Sequence, residues 1–137
     1  MDKIIIGKEI EFSKSFSKQN VLDFSLISED NNPIHIDENY ASESIFGNQV
    51  VHGVLLVSMF SKIFGTIYPG NGSIYLSQTS KFIKPAFIDD LIKARVTLIG
   101  FNDDKKQGVF LTECFKDSDI LILTGEAKIL FPKTFTL

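Results

Sequence analysis

The chain has 137 residues, 23% of them charged and 44% hydrophobic, with a formal net charge of -3 at pH 7. That length suffices to bury a core as one domain, residues 1–137, and the mildly acidic balance without a Lys/Arg cluster argues against a nucleic-acid surface. A single cysteine, Cys114, rules out an intrachain disulfide and a multi-cysteine metal site and fits a reducing, cytoplasmic setting.

The opening Met1–Asp2–Lys3–Ile4–Ile5–Ile6–Gly7 is too short and too soon interrupted for a signal peptide. Phe12 and Phe16, with polar residues between, fit a short edge strand. Ser17 is placed to cap a helix starting at Lys18, its hydroxyl accepting an orphan backbone amide. Val21, Phe24 and Ile27 share one face of that helix, with Leu22 and Leu26 beside it. Glu29–Asp30–Asn31–Asn32–Pro33 is a dense turn signal that ends it near Ser28. Asp37 then caps a short helix over Glu38 to Ile45, with Tyr40, Ala41 and Ile45 turned inward, and Phe46–Gly47–Asn48–Gln49 is a loop.

The stretch from Val50 to Gly65 is the most apolar in the chain. Val54, Val57, Ser61 and Phe64 recur at helical spacing, and Leu56, Met59, Phe60 and Ile63 fill much of the remaining surface, so a helix buried nearly all round is expected. It is shorter than a membrane span of roughly 20 residues and carries Ser, His and Lys, so no membrane association is expected. After Pro69–Gly70–Asn71–Gly72 the period changes to two. Residues 74–83 read as a long strand with a polar middle, suited to a cavity wall or a dimer seam. Leu91 to Gly100, Val109 to Phe115 and Ile120 to Phe131 follow as strands, separated by the loop 102–108 and the turn 117–119, with Gly125 at a bend or bulge. Four hairpin-like strands in succession imply an antiparallel sheet, an α+β architecture whose one apolar face is covered by the helix 53–65.

Two histidines exist, His35 and His52. Asp30 and His35 flank a rigid turn. Either they hold a water between a carboxylate and an imidazole for acid/base work, or Asp30 closes the turn and His35 is an ordinary half-buried residue. His52–Gly53 opens the apolar helix. Either both residues serve local packing, or the Gly53 amide at the positive helix end donates to a carbonyl that gains negative charge. Ser61 is equally readable as a polar gap-filler. No metal-binding spacing, glycine-rich phosphate loop or nucleophile elbow is present, and Cys114 reads as a small sheet residue.

Asp30–Asn31–Asn32–Pro33–Ile34–His35–Ile36–Asp37, Tyr40–Ala41, Phe46–Gly47 and Val51–His52–Gly53 together resemble the MaoC-like hydratase motif of the hot-dog superfamily. The likeness continues through residues 69–76 and 81–85 and is closest to the (R)-specific enoyl-CoA hydratases. It implies a hot-dog fold, a curled antiparallel sheet wrapped round a long central helix. It further implies reversible syn hydration of trans-2-enoyl-CoA to (R)-3-hydroxyacyl-CoA, without metal or organic cofactor, by a homodimer or dimer of dimers.

By position, Asp30 and His35 match the catalytic pair and Gly53 the residue whose amide binds the thioester carbonyl. Ser61 matches a serine near the pocket, and Asn32 and His52 residues that shape the site. The alternatives are dehydration of a substrate on acyl carrier protein, a noncatalytic thioester-binding accessory subunit, or a hot-dog thioesterase. Two positions depart from the family pattern: Glu29 stands where glycine commonly precedes the aspartate, setting a second carboxylate beside Asp30, and Asp89–Asp90 stands in place of Gly-Asp.

Overall fold

Alternation of period two decides the largest element. In β5 (Leu91–Asn102) the side chains of Ile92, Ala94, Val96 and Leu98 are fully buried, while Lys93, Arg95 and Thr97 between them reach the other face. β6 (Gln107–Lys116) repeats the pattern with Phe110, Thr112 and Cys114 inward. β7 (Ile120–Leu130) completes an antiparallel meander in which Ala94 faces Cys114 and Cys114 faces Leu123. The computed structural model that carries these strands describes residues 2–137.

The full sheet has six strands. β2 (Glu9–Ser15) pairs with the outer edge of β5, while β3 (Ile74–Gln78) and β4 (Lys81–Phe82) both pair with β7 at the opposite edge. The expectation of four strands in simple succession is therefore corrected: the segment 74–83 crosses the sheet and lies beside β7, not β5. Its register shifts by one residue between Tyr75 and Ser77 and then holds, Gln78 opposite Ala127 and Lys81 opposite Thr124, while the ladder opens at Thr79–Ser80. Gly125 explains the opening. A Cβ there would sit 1.8 Å from the Thr79 carbonyl oxygen, so Gly125 marks a close backbone approach and not the expected bend or bulge. The β6–β7 register shift falls at Cys114/Phe115 instead.

α4 (Gly53–Lys62), continued by a π-helical turn (Ile63–Ile67), lies against the sheet. Leu56, Met59, Phe60, Ile63 and Phe64 are buried with the sheet's inward side chains in one cluster, each worth about 1.5–3 kcal/mol of apolar burial. Burial is one-sided, not all-round. Val54, Ser58, Ser61 and Lys62 are exposed, so the apolar composition of the helix exceeds what this chain alone covers. α1 (Lys18–Ser28) starts at the expected cap, Ser17 and Asn20 exchanging side-chain-to-backbone bonds of 3.0 Å each. Its inward face is narrower than the periodicity predicts: Val21 and Ser25 are buried, whereas Leu26 and Ile27 are exposed.

Two short helices follow, α2 (Pro33–Ile36) and α3 (Glu38–Ser42). Asp37 caps α3 as expected, but only Ala41 turns inward; Tyr40 and Ile45 are exposed. The tail, uninformative by pattern, forms β8 (Phe135–Thr136), which pairs in parallel with β1 (Asp2–Lys3). No helix among the described residues is long and apolar enough to cross a membrane.

Candidate active site

The site is built where α1 stops and α4 starts. Glu29, the C-cap of α1, lies in the left-handed region (φ 63°, ψ 11°), and this reversal throws Asp30 out of the helix. Asx bonding then takes over from helix bonding. The Asp30 carboxylate accepts the Asn32 amide at 3.3 Å, and the Asn32 side chain accepts the Ile34 amide at 3.3 Å as N-cap of α2. Pro33 starts that single helical turn, which sets His35 facing back towards Asp30.

His35 is held from two sides. Its Nδ1 lies 2.7 Å from the Val50 carbonyl oxygen, which can only accept, so Nδ1 carries the proton and Nε2 is left free for chemistry. The Gln49 side-chain amide donates to the His35 carbonyl at 2.8 Å. The Val50 amide, in turn, bonds Ile34 O, and Val51 N bonds Ala86 O, so the loop before α4 is stitched to both α2 and the strand region.

His52, N-cap of α4, is 2% exposed. Its ring stacks on His35 with centroids 3.8 Å apart and planes 23° apart, and meets the Phe24 ring edge-on at 4.8 Å. Its Nε2 lies 3.2 Å from the Asp30 carbonyl oxygen and 3.1 Å from Ser25 Oγ. The carbonyl only accepts, so Nε2–H is the donor and Nδ1 is a bare acceptor, buried without a partner. Burial holds the His52 ring below the usual histidine range, the proximity of His35 adding to this and the Asp30 carbonyl opposing it.

Asp30, His35 and His52 offer polar atoms within 4.8 Å of one another. The nearly parallel rings do not converge on a common point, and His52 Nε2–H is committed to the Asp30 carbonyl, so the cluster is not arranged as a cation cradle. A carboxylate with a free imidazole nitrogen nearby suits the holding of one water molecule.

A cavity of about 560 Å³ opens beside this pair. His35, Gly53, Val54, Leu56, Phe82 and Lys84 are among its lining residues. The first-turn amides of α4 receive no side-chain cap from His52, and the helix dipole favours an electron-rich group there. Position 53 admits only glycine as packed, since a Cβ would lie 2.6 Å from the Phe82 ring. Ser61 is not brought to the cavity. It is exposed, on the same open face of α4 as Val54 and Ser58.

Sequence reasoning missed Gln49, Ser25 and Phe82. The signals were present: Gln49 is a polar residue directly before the apolar run, Ser25 interrupts the inward face of α1, and Phe82 lies on the segment that faces Gly53. Burial pushes the Cys114 thiol up to about 12, the state of an unreactive sheet residue, as expected.

The model of the MaoC like domain matches residues 3–114. An (R)-specific enoyl-CoA hydratase of Aeromonas caviae is 38% identical over 127 residues, covering 93% of this chain and 95% of that protein. A second, from Rhodospirillum rubrum, is 35% identical and covers 92% and 87%. The solved structure of an (R)-hydratase from A. caviae superposes with a TM-score of 0.91 at 37% identity, covering 94% of this chain and 98% of that one.

Proposed function

The chain belongs to the MaoC-like family of hot-dog proteins, and from that premise we propose that it is an (R)-specific enoyl-CoA hydratase, a hydro-lyase acting on acyl-CoA thioesters. The observation that carries the reading is the placement of Asp30 and His35 across one turn, with His35 and Gly53 both lining the apolar cavity. In this reading residues 1–137 are one domain, its sheet curled round α4.

The chemistry follows from those groups. A water held between the Asp30 carboxylate and His35 Nε2 attacks C3 of a trans-2-enoyl thioester. One member of the pair takes the water's proton, and the pair returns a proton to C2 on the same face. The C2=C3 π electrons form the C2–H bond by way of an enolate-like carbonyl, whose charge the Gly53 amide and the α4 dipole receive. The product is the (R)-3-hydroxyacyl thioester, and dehydration is the reverse. Asn32 shapes the turn as cap of α2, and His52 links Asp30 to His35.

A second copy completes the assembly in this reading. Val54, at 65% exposed, shares an open face of α4 with Ser58 and Ser61, while Ile74 and Leu76 on edge strand β3 are exposed at 54% and 43%. Unpaired edge and uncovered helix face together suit a homodimer, and Ser61 lies on the face that a partner covers. Sedimentation of the chain with Val54→Lys tests this: the parent runs as a dimer or larger, and the variant as a monomer.

Loss of the conjugated enoyl absorbance with crotonyl-CoA tests the activity. Asp30→Asn and His35→Asn should each lower kcat/KM by about a thousandfold or more with little change in Tm, since Asp30 is exposed and His35 half-buried. Parent-like turnover by both variants sinks the assignment. Running the same acyl groups on CoA and on acyl carrier protein distinguishes this hydratase from a carrier-protein dehydratase. Absence of turnover on either thioester, with binding retained, identifies an accessory subunit.

A further inference from the structure

His52 is the most enclosed polar group next to the catalytic pair, and three observations about it stand together. Its ring lies 3.8 Å under His35 in a near-parallel stack. Its Nε2 lies 3.2 Å from the backbone carbonyl of Asp30, the other member of the pair. Among the described residues its Nδ1 is buried without a partner. The groups packed against it are few. Phe24 and Ser25 come from α1, and among the described residues the titratable neighbours are Asp30 and His35.

We propose that His52 is a positioning residue that locks Asp30 and His35 in register by two separable contacts, a ring stacked beneath His35 and an Nε2–H bond to the Asp30 carbonyl. The assignment rests on the reading of Asp30 and His35 as the catalytic pair.

The physical case has two parts. Asp30 and His35 belong to different local structures, the loop after α1 and the turn of α2, and both are accessible to water. His52 is a side chain that touches both, and it is anchored at the start of α4, so it ties two positions on separate local structures to one distance. Its neutrality matters because His35 cycles through a charged state when it exchanges a proton. A neutral imidazole face beneath a cationic ring attracts it, whereas a second cation there would repel it. Protonating His52 would place a charged Nδ1–H in a buried pocket, which burial disfavours.

The test uses the fact that the chain has only two histidines, so its imidazole nitrogen NMR spectrum holds two rings. In the parent, one ring should carry its proton on Nε2 and hold that neutral form to lower pH than a free imidazole, and the other, when neutral, should carry its proton on Nδ1. His52→Phe keeps a ring under His35 and removes the bond; His52→Gln keeps a donor and removes the ring. Both should lower kcat about tenfold or more with KM changed by less than about twofold, while the remaining ring keeps its proton on Nδ1, where the Val50 carbonyl holds it.

Kinetics of folded His52→Phe and His52→Gln equal to the parent would overturn the proposal, as would a His52 ring in the parent that titrates freely. The parent spectrum serves even where a variant fails to fold. Asp30→Asn and His35→Asn run alongside: if they keep activity, the catalytic reading has failed. If they lose it while both His52 variants keep it, only the present proposal has.

Discussion

The three-stranded meander β5–β6–β7 and the segment from Glu29 to Gly53 are held by different forces. In β5 and β6, side chains at alternating positions are sealed from water, in β7 Ile122, Leu123, Ala127 and Ile129 are, and apolar packing fixes the register. In the segment 29–53 most residues are exposed, and the chain is fixed by bonds to its own backbone: Asp30 to Asn32, Asn32 to Ile34, His35 to Val50, Gln49 to His35. A reactive carboxylate needs water at hand and cannot be buried cheaply. The proposed catalytic pair, Asp30 and His35, therefore sits on the hydrogen-bonded region, and α4 joins the two, its body in the core and its first turn beside them.

If the comparison is right, damage to the two regions separates into stability and rate. Phe110 is fully buried and in ring contact with Phe64 and Phe131. Phe110→Ala should cost about 3–5 kcal/mol, a large part of a domain's typical ~5–15 kcal/mol. Urea unfolding should show this as a lower midpoint, while the folded fraction at low temperature keeps a parent-like KM. An unchanged midpoint would mean that the meander is not the stabilising half.

Gln49→Ala probes the other half. It removes the side-chain bond to the His35 carbonyl, with a stability loss of about 1–3 kcal/mol for the group left unpaired. Its expected signature is disproportionate, with kcat down roughly tenfold to a hundredfold because His35 loses its distance to the water. Loss of stability without loss of kcat would show that Gln49 merely packs.

Acid sharpens the comparison through His52. Its folded value is depressed below 6.5, chiefly by burial, so in the window below about pH 6.5 the unfolded chain binds a proton that the folded chain refuses. Stability from this group is complete above that point and is lost as pH falls through the window. Tm measured against pH should fall more steeply for the parent than for His52→Phe. Equal slopes would mean that the ring is reached by solvent.

How legible each region is from sequence follows from the same division. Ile92, Ala94, Val96 and Leu98 announce β5 because period two is local, and Ser17 announces α1 because a cap is local. What stayed hidden was what a neighbour decides. The crossing of 74–83 to the far side of β7 depends on Gly125 admitting the Thr79 carbonyl, and the exposed face of α4 reads as core because its composition answers to more surface than this chain supplies. At the site, Asp30, Asn32, His35 and Gly53 were legible as a family motif. The roles of Gln49, Ser25 and the Val50 carbonyl were not, because a backbone acceptor has no letter and a single polar residue has no period.

The two departures from the family pattern yield the smallest and most diagnostic effect. Glu29 and Asp89 stand where relatives commonly carry glycine, and both adopt left-handed backbone, with φ of 63° and 69°. An L-residue there costs about 1–2 kcal/mol in steric strain, and glycine would remove it while giving back about 0.5–1 kcal/mol as greater freedom in the unfolded chain. Glu29→Gly and Asp89→Gly should therefore each raise stability by up to about 1 kcal/mol. The two should still differ in rate. Asp89 bonds Phe16 O through its amide, which glycine retains, so kcat should hold. Glu29 is the hinge that aims Asp30, so added freedom there should lower kcat slightly even as Tm rises. Matching kcat changes in the two variants would mean that the turn is fixed by its Asp30–Asn32–Ile34 bonds alone, and that the strain at Glu29 plays no part in aiming the carboxylate.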